Sequence, residues 1–233
     1  MTRRTLAIVK VLLACACLAP LVWIVLRAVG VASLSLGANP VEELLNTFGK
    51  TGLNLLMITL AVTPVRRSTG LNWLVGLRRM LGLFCFFYLL LHFLTYAILD
   101  LGLAWDTLLV DITERPYITV GFTALVLMVP LAVTSTNGFQ RRLGRNWIKV
   151  HRLIYPIGVL AVVHYYWQVK ADVSDPLFYA VVLTVLLGAR VKHWRDIRAK
   201  RRALVDAKPA MATADQGIEP PQTGDKPRYQ SND

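Results

Sequence analysis

The chain is poor in acids, in cysteine and in the glycine patterns that bind nucleotides, and each shortage removes a class of function. It has 14 Asp and Glu against 26 Lys and Arg, a net charge of +12. That balance would suit a nucleic-acid partner only if the cations formed a patch on a folded soluble face. Here they punctuate apolar runs, the habit of loops on the cytoplasmic side of a membrane, so nucleic acid is not an expected partner. The three cysteines, Cys15, Cys17 and Cys85, all lie in apolar stretches and lack the even, spaced framework of structural disulfides. Cys15 and Cys17 are two apart and point to nearly opposite sides of a helix, which makes a poor metal clamp. They read as small residues facing lipid or neighbouring helices. No glycine-rich fingerprint occurs, and about 40 residues after the last apolar run are too few for a Rossmann unit plus a flavin domain. The expectation is a chain with no dehydrogenase of its own, fed by a quinol or a separate reductase. No convincing internal repeat is visible, which weighs against a transporter built from repeated, broken helices.

What the chain has in abundance is apolar sequence: 55% of its 233 residues are hydrophobic and its mean hydropathy is +0.49. This is the composition of a polytopic membrane protein. Six spans are expected, at residues 6–26, 53–65, 80–99, 118–133, 148–167 and 177–191, the second extending back through Leu44 to Phe48. Arg3 and Arg4 before the first run resemble a signal peptide, but that run is long enough to cross and reads as an uncleaved helix. Cations then set the orientation. Arg66, Arg67, Arg78 and Arg79 follow the second span, and Arg141, Arg142, Arg145 and Lys149 follow the fourth. Both ends of the chain are also basic. The remaining connections carry only Lys50, Arg115 and Lys170 beside eight acids, among them Asp111, Asp172 and Asp175. The expectation is therefore an all-α bundle of six transmembrane helices with both termini cytoplasmic. It occupies residues 1–202, with a disordered cytoplasmic tail over 203–233, where prolines and scattered polar residues replace the apolar runs.

Against this background the histidines stand out. His92, His151 and His164, three of four, lie inside apolar stretches, and an intramembrane histidine points to function by default. His92 lies thirteen residues past Arg79, and His164 thirteen past His151. At about 1.5 Å rise per residue, His92 and His164 are each roughly 20 Å from the inner edge, at matched depth on different helices. Such a pair suits two-sided axial ligation of one haem iron, which leaves no open position and favours electron transfer. His151, near the inner surface, marks a second level. The bland alternative for each is an interhelical hydrogen bond. An ideal helix does not put His151 and His164 on one face, but Pro156 with Gly158 behind it provides a bend. The inner level lacks a second histidine. Counting back from His92 reaches Arg79 and Arg78, which suit haem propionates or a flavin phosphate, or serve simply as positive-inside anchors.

The segments RRMLGLFCFFYLLLHFLTYAILD and LGRNWIKVHRLIYPIGVLAVVHYYW, above all W-x-x-x-H-R-L-x-Y from Trp147, resemble the ferric-reductase-like transmembrane domain family. Within it the chain is most similar to the haem-binding membrane subunits of periplasmic protein-methionine-sulfoxide reductase systems, over all six spans. The resemblance implies b-type haem, one or two, and FMN. It implies electrons drawn from the quinone pool and passed to a periplasmic molybdopterin methionine-sulfoxide reductase, with His92, His151 and His164 as iron ligands. Where the wider family carries two histidines on each ligand helix, this chain has Arg78 or Arg79 in place of one. Two alternatives remain: a transmembrane ferric or metal reductase, and a proton-coupled transporter or assembly protein whose histidines relay protons.

Overall fold

A computed structural model of the protein describes residues 2–30, 36–169 and 171–215; these are helical or irregular, with no strand among them. The helices are α1 (Arg3–Ala28), α2 (Pro40–Thr69), α3 (Val75–Leu94), α4 (Trp105–Glu114), α5 (Pro116–Val133), α6 (Asn137–Leu143), α7 (Arg145–His151), α8 (Ile154–Gln168) and α9 (Ser174–Asp215). Helix α2 shows why such elements begin and end where they do. The Asn39 side chain accepts from the Glu42 N–H, Pro40 fills the first turn, and Glu42 and Glu43 face the positive end of the helix dipole. Arg66 and Arg67 sit at the opposite end, and Gly70 closes the helix at φ 73°, a conformation glycine adopts without strain. Helix α2 reaches well back of residue 53 and includes the expected extension through Leu44 to Phe48.

Among the described residues, five helical stretches are long and apolar enough to cross a membrane: Arg4–Ala28, Pro40–Thr69, Asn72–Asp100, Pro116–Val133 and Ser174–Ala203. Large apolar side chains on their outer faces are bare, among them Leu12, Val22, Trp23, Val126, Phe178 and Val181. Exposed apolar area on that scale belongs against lipid rather than water.

Two compact units are distinguished, Met1–Leu187 and Gly188–Asp233. In the first, α2 packs along α3, α5 packs along α8, and α3 also meets α5. Leu56, Cys85, Tyr88 and Ile157 are almost wholly buried in the shared core. The Tyr88 hydroxyl donates to the Cys17 carbonyl at 2.6 Å, and the Cys85 thiol to the Gly52 carbonyl at 3.3 Å. All three cysteines are unpaired, and Cys15 alone is exposed. In the second unit the described residues continue α9 as helix through Asp215. The sequence reading places 203–233 in a disordered tail; of these, 203–215 are helical and 216–233 lie outside the described residues.

The expected fifth span, 148–167, is not one helix. Helix α7 stops at His151 and α8 starts at Ile154. Pro156 has no N–H for the Arg152 carbonyl, so the Tyr155 N–H takes that carbonyl instead, at 3.1 Å in a tighter turn. The N–H groups of Arg152 and Leu153 likewise bond three residues back, to Lys149 and Val150. His151 and His164 therefore sit on separate helices.

Candidate functional site

His92 near the end of α3 and His164 on α8 face each other, with ring centres 6.2 Å apart and ring planes at 79°. Both line a cavity of about 400 Å³ whose walls include Leu89, Phe93, Phe122 and Leu125. Each ring is held by its Nδ1. That of His92 lies 2.9 Å from the Leu45 carbonyl, and that of His164 2.7 Å from the Tyr117 carbonyl. A carbonyl can only accept, so Nδ1 carries the hydrogen in both rings and Nε2 keeps the lone pair that binds a metal.

A glycine makes each approach possible. Gly49 lies one helical turn past Leu45, and Gly121 one turn past Tyr117, so each glycine shares its helix face with the accepting carbonyl. A Cβ at Gly49 would stand 3.1 Å from the His92 ring, and one at Gly121 only 2.6 Å from the His164 ring. In both hairpins the histidine follows its acceptor by 47 residues. A shift of 72 residues carries Leu45 to Tyr117, Gly49 to Gly121 and His92 to His164. The α2–α3 and α5–α8 hairpins are thus two renderings of one device, which corrects the reading of a chain without an internal repeat. The tetrapeptide Leu-Ala-Val-Thr at 60–63 and again at 131–134, and Asn-Trp at 72–73 and 146–147, recur at the nearby intervals of 71 and 74 residues.

The pair fits a haem iron. A metal–imidazole bond is about 2 Å long and each nitrogen lies about 1 Å from its ring centre, so two rings on opposite sides of one metal have centres about 6 Å apart. The observed separation meets that figure, the freed Nε2 atoms are the right donors, and the wall is mostly apolar. Among the described residues no cluster of three or more His, Cys, Asp or Glu side chains offers a metal site. The arrangement has the spacing and donor set that a clamp of two imidazoles on one metal would need.

His151 stands apart, as the last residue of α7 ahead of the turn into α8. Its Nδ1 lies 3.2 Å from the Trp147 carbonyl of its own helix, and its ring stacks on that of Trp147 with centres 3.9 Å apart. The Trp147 indole is fixed in turn by donating to the Thr134 carbonyl at 3.0 Å. Arg78 and Arg79 lie near enough for their charges to act on His151. Arg79 is exposed and donates to the side chains of Asn137 and Gln140 on α6. None of the three lines the His92–His164 cavity. Sequence reasoning missed Gly49, Gly121 and the two carbonyl acceptors; the recurring glycine-to-histidine interval was the available signal.

Comparison with known proteins supplies the family. The family described as ferric reductase like transmembrane component matches residues 48–162, which include His92 and His151. The protein-methionine-sulfoxide reductase heme-binding subunit MsrQ of Xanthomonas campestris pv. campestris is 51% identical over 179 residues, covering 77% of this chain and 81% of its own. The subunit of the same description from Xanthomonas oryzae pv. oryzae is 46% identical over 91% of this chain and 98% of its own. That from Ralstonia nicotianae is 53% identical over 70% and 76%. No solved structure matches the chain. At these identities and coverages, with several apolar helices long enough to cross a bilayer, the chain is a multi-pass protein of the bacterial inner membrane and belongs to the MsrQ family.

Proposed function

We propose that the protein is a b-type cytochrome that relays electrons from the quinone pool outward to a periplasmic molybdopterin methionine-sulfoxide reductase. The observation that carries this is the 6.2 Å histidine pair with both Nδ1 atoms tied to main-chain carbonyls. The relatives' printed description as heme-binding subunits supports it. When bound there, haem supplies reversible one-electron transfer at iron. His92 and His164 would hold its iron from the two hairpins, an arrangement that suits electron transfer over substrate chemistry. The Leu45 and Tyr117 carbonyls fix the ring tautomer and raise the donor strength of each Nε2. The apolar wall keeps water away from the metal.

In this reading α1, α2, α3, α5, α8 and α9 cross the membrane, and both termini are cytoplasmic. The clustered arginines after α2 and α5 support that orientation. The His92–His164 pair is then at the periplasmic level and His151 at the cytoplasmic level. His151 serves a second haem or an FMN at that level, and Arg78 and Arg79 hold its anionic groups. A reduced-minus-oxidised spectrum with haem quantitation tests the class directly. A Soret band that responds to dithionite is expected, and purified protein without one ends the reading. Growth of a deletion strain on methionine sulfoxide, compared with ferric chelates, separates this acceptor from metal reduction.

A further inference from the structure

The two-fold device at the histidines breaks in one place, and the break gives the cavity a direction. Applied to the cavity wall, the 72-residue shift carries Asn46 to Ile118, Lys50 to Phe122, Phe93 to Tyr165 and Tyr96 to Gln168, and all eight side chains line the wall. One edge therefore presents Asn46, Lys50, Tyr165 and Gln168. The related edge presents Ile118, Phe122, Phe93 and Tyr96, where the Phe93 and Phe122 rings meet with centres 5.5 Å apart. Asp100 also lines the cavity, and the Tyr96 hydroxyl donates to buried Asp111. Asp111 is paired with Arg115 at 2.9 Å.

Behind the polar edge lies a second cavity of about 470 Å³, and the same four residues, Asn46, Lys50, Tyr165 and Gln168, form the wall between the two. No carboxylate stands in that shared wall. Asp172 and Asp175 line only the polar cavity. The Ser174 hydroxyl and N–H hold the Asp172 carboxyl below its usual range. Lys50 donates to Asp175 at 2.7 Å, and the Tyr165 hydroxyl reaches the same oxygen at 3.2 Å. Lys50 is half exposed and long-stemmed, so it can turn from one cavity to the other.

A haem has one edge that is all hydrocarbon and one that carries two carboxylates. We infer that the adjoining cavities form one site, with the macrocycle between His92 and His164 and its propionates crossing the Asn46–Gln168 wall onto Lys50 and the Tyr165 hydroxyl. Lys50 is a haem-binding residue in this assignment, and its charge favours the reduced state. Carboxylates at the opposite edge would instead meet two phenylalanines and Asp100. The assignment rests on haem occupying the histidine pair.

The test uses purified full-length protein in detergent, with redox titration of the haem and transfer to excess apomyoglobin as readouts. Lys50→Met is expected to keep the Soret band, titrate at lower potential and lose haem severalfold faster; Lys50→Arg is expected to restore both. Asp175→Asn, which removes a competing anion, is expected to shift the potential upward. Lys50→Met with unchanged potential and haem loss overturns the assignment while leaving the haem reading intact. Wild-type protein without haem overturns the reading itself.

Discussion

The stretch from α7 through α8 handles a histidine in opposite ways at its two ends. At one end His164 reaches across to another helix, is tied to its main chain, and meets a second imidazole held in the same manner. At the other, His151 bonds within its own short helix, stacks on a neighbouring tryptophan and has arginines for company. The first arrangement fixes donors from two hairpins at a set separation, which suits a ligand shared between them. The second orients a single ring beside positive charge, which suits an anionic group with at most one axial bond. A histidine's worth as a ligand thus depends on what holds its other nitrogen and on what stands opposite.

Removing either clamp member should have the largest effect. His92→Ala and His164→Ala are each expected to abolish the main Soret band in purified protein; retention of full haem content by either would put the two ends on an equal footing. Next comes Gly121→Ala, whose Cβ would fall 2.6 Å from the His164 ring, against 3.1 Å for Gly49→Ala at His92. Overpacking of this kind costs about 1–3 kcal/mol. Haem quantitation should show a clear loss for Gly121→Ala and a partial one for Gly49→Ala, and the reverse order would break the equivalence of the hairpins. His151→Ala should lower haem stoichiometry without removing the His92–His164 spectrum. The smallest effect belongs to Arg79→Ala. It deletes two exposed hydrogen bonds to α6, so thermal melts should shift by the equivalent of about 1 kcal/mol or less per bond, with the clamp spectrum unchanged.

Much of this was legible before any coordinates. Hydropathy marked the crossing helices, because lipid demands long apolar runs, and residue counting from the arginines set His92 and His164 at one depth, because a helix has a constant rise. The break after His151 was legible only as a bend near Pro156. The main-chain bonds at residues 152–155 that turn a bend into two helices have no side-chain signature. The internal duplication stayed hidden for a related reason. Its functional parts are two carbonyls, two glycines and two histidines, and few other identities persist around them. Lys50 was visible only as a stray cation in an otherwise acidic set of loops, since its meaning depends on Phe122 standing at the matching place.

The carbonyls of Leu45 and Tyr117 have one more consequence. The group that holds Nδ1 of each histidine is part of the main chain, and the side chains that accompany it are as unlike as leucine and tyrosine. Point substitutions at those positions change what covers the helix and leave the acceptor in place. The electronic character of the histidine pair is thereby insulated from sequence drift at 45 and 117. Its vulnerability is concentrated one turn further on, at two residues whose only contribution is to have no side chain.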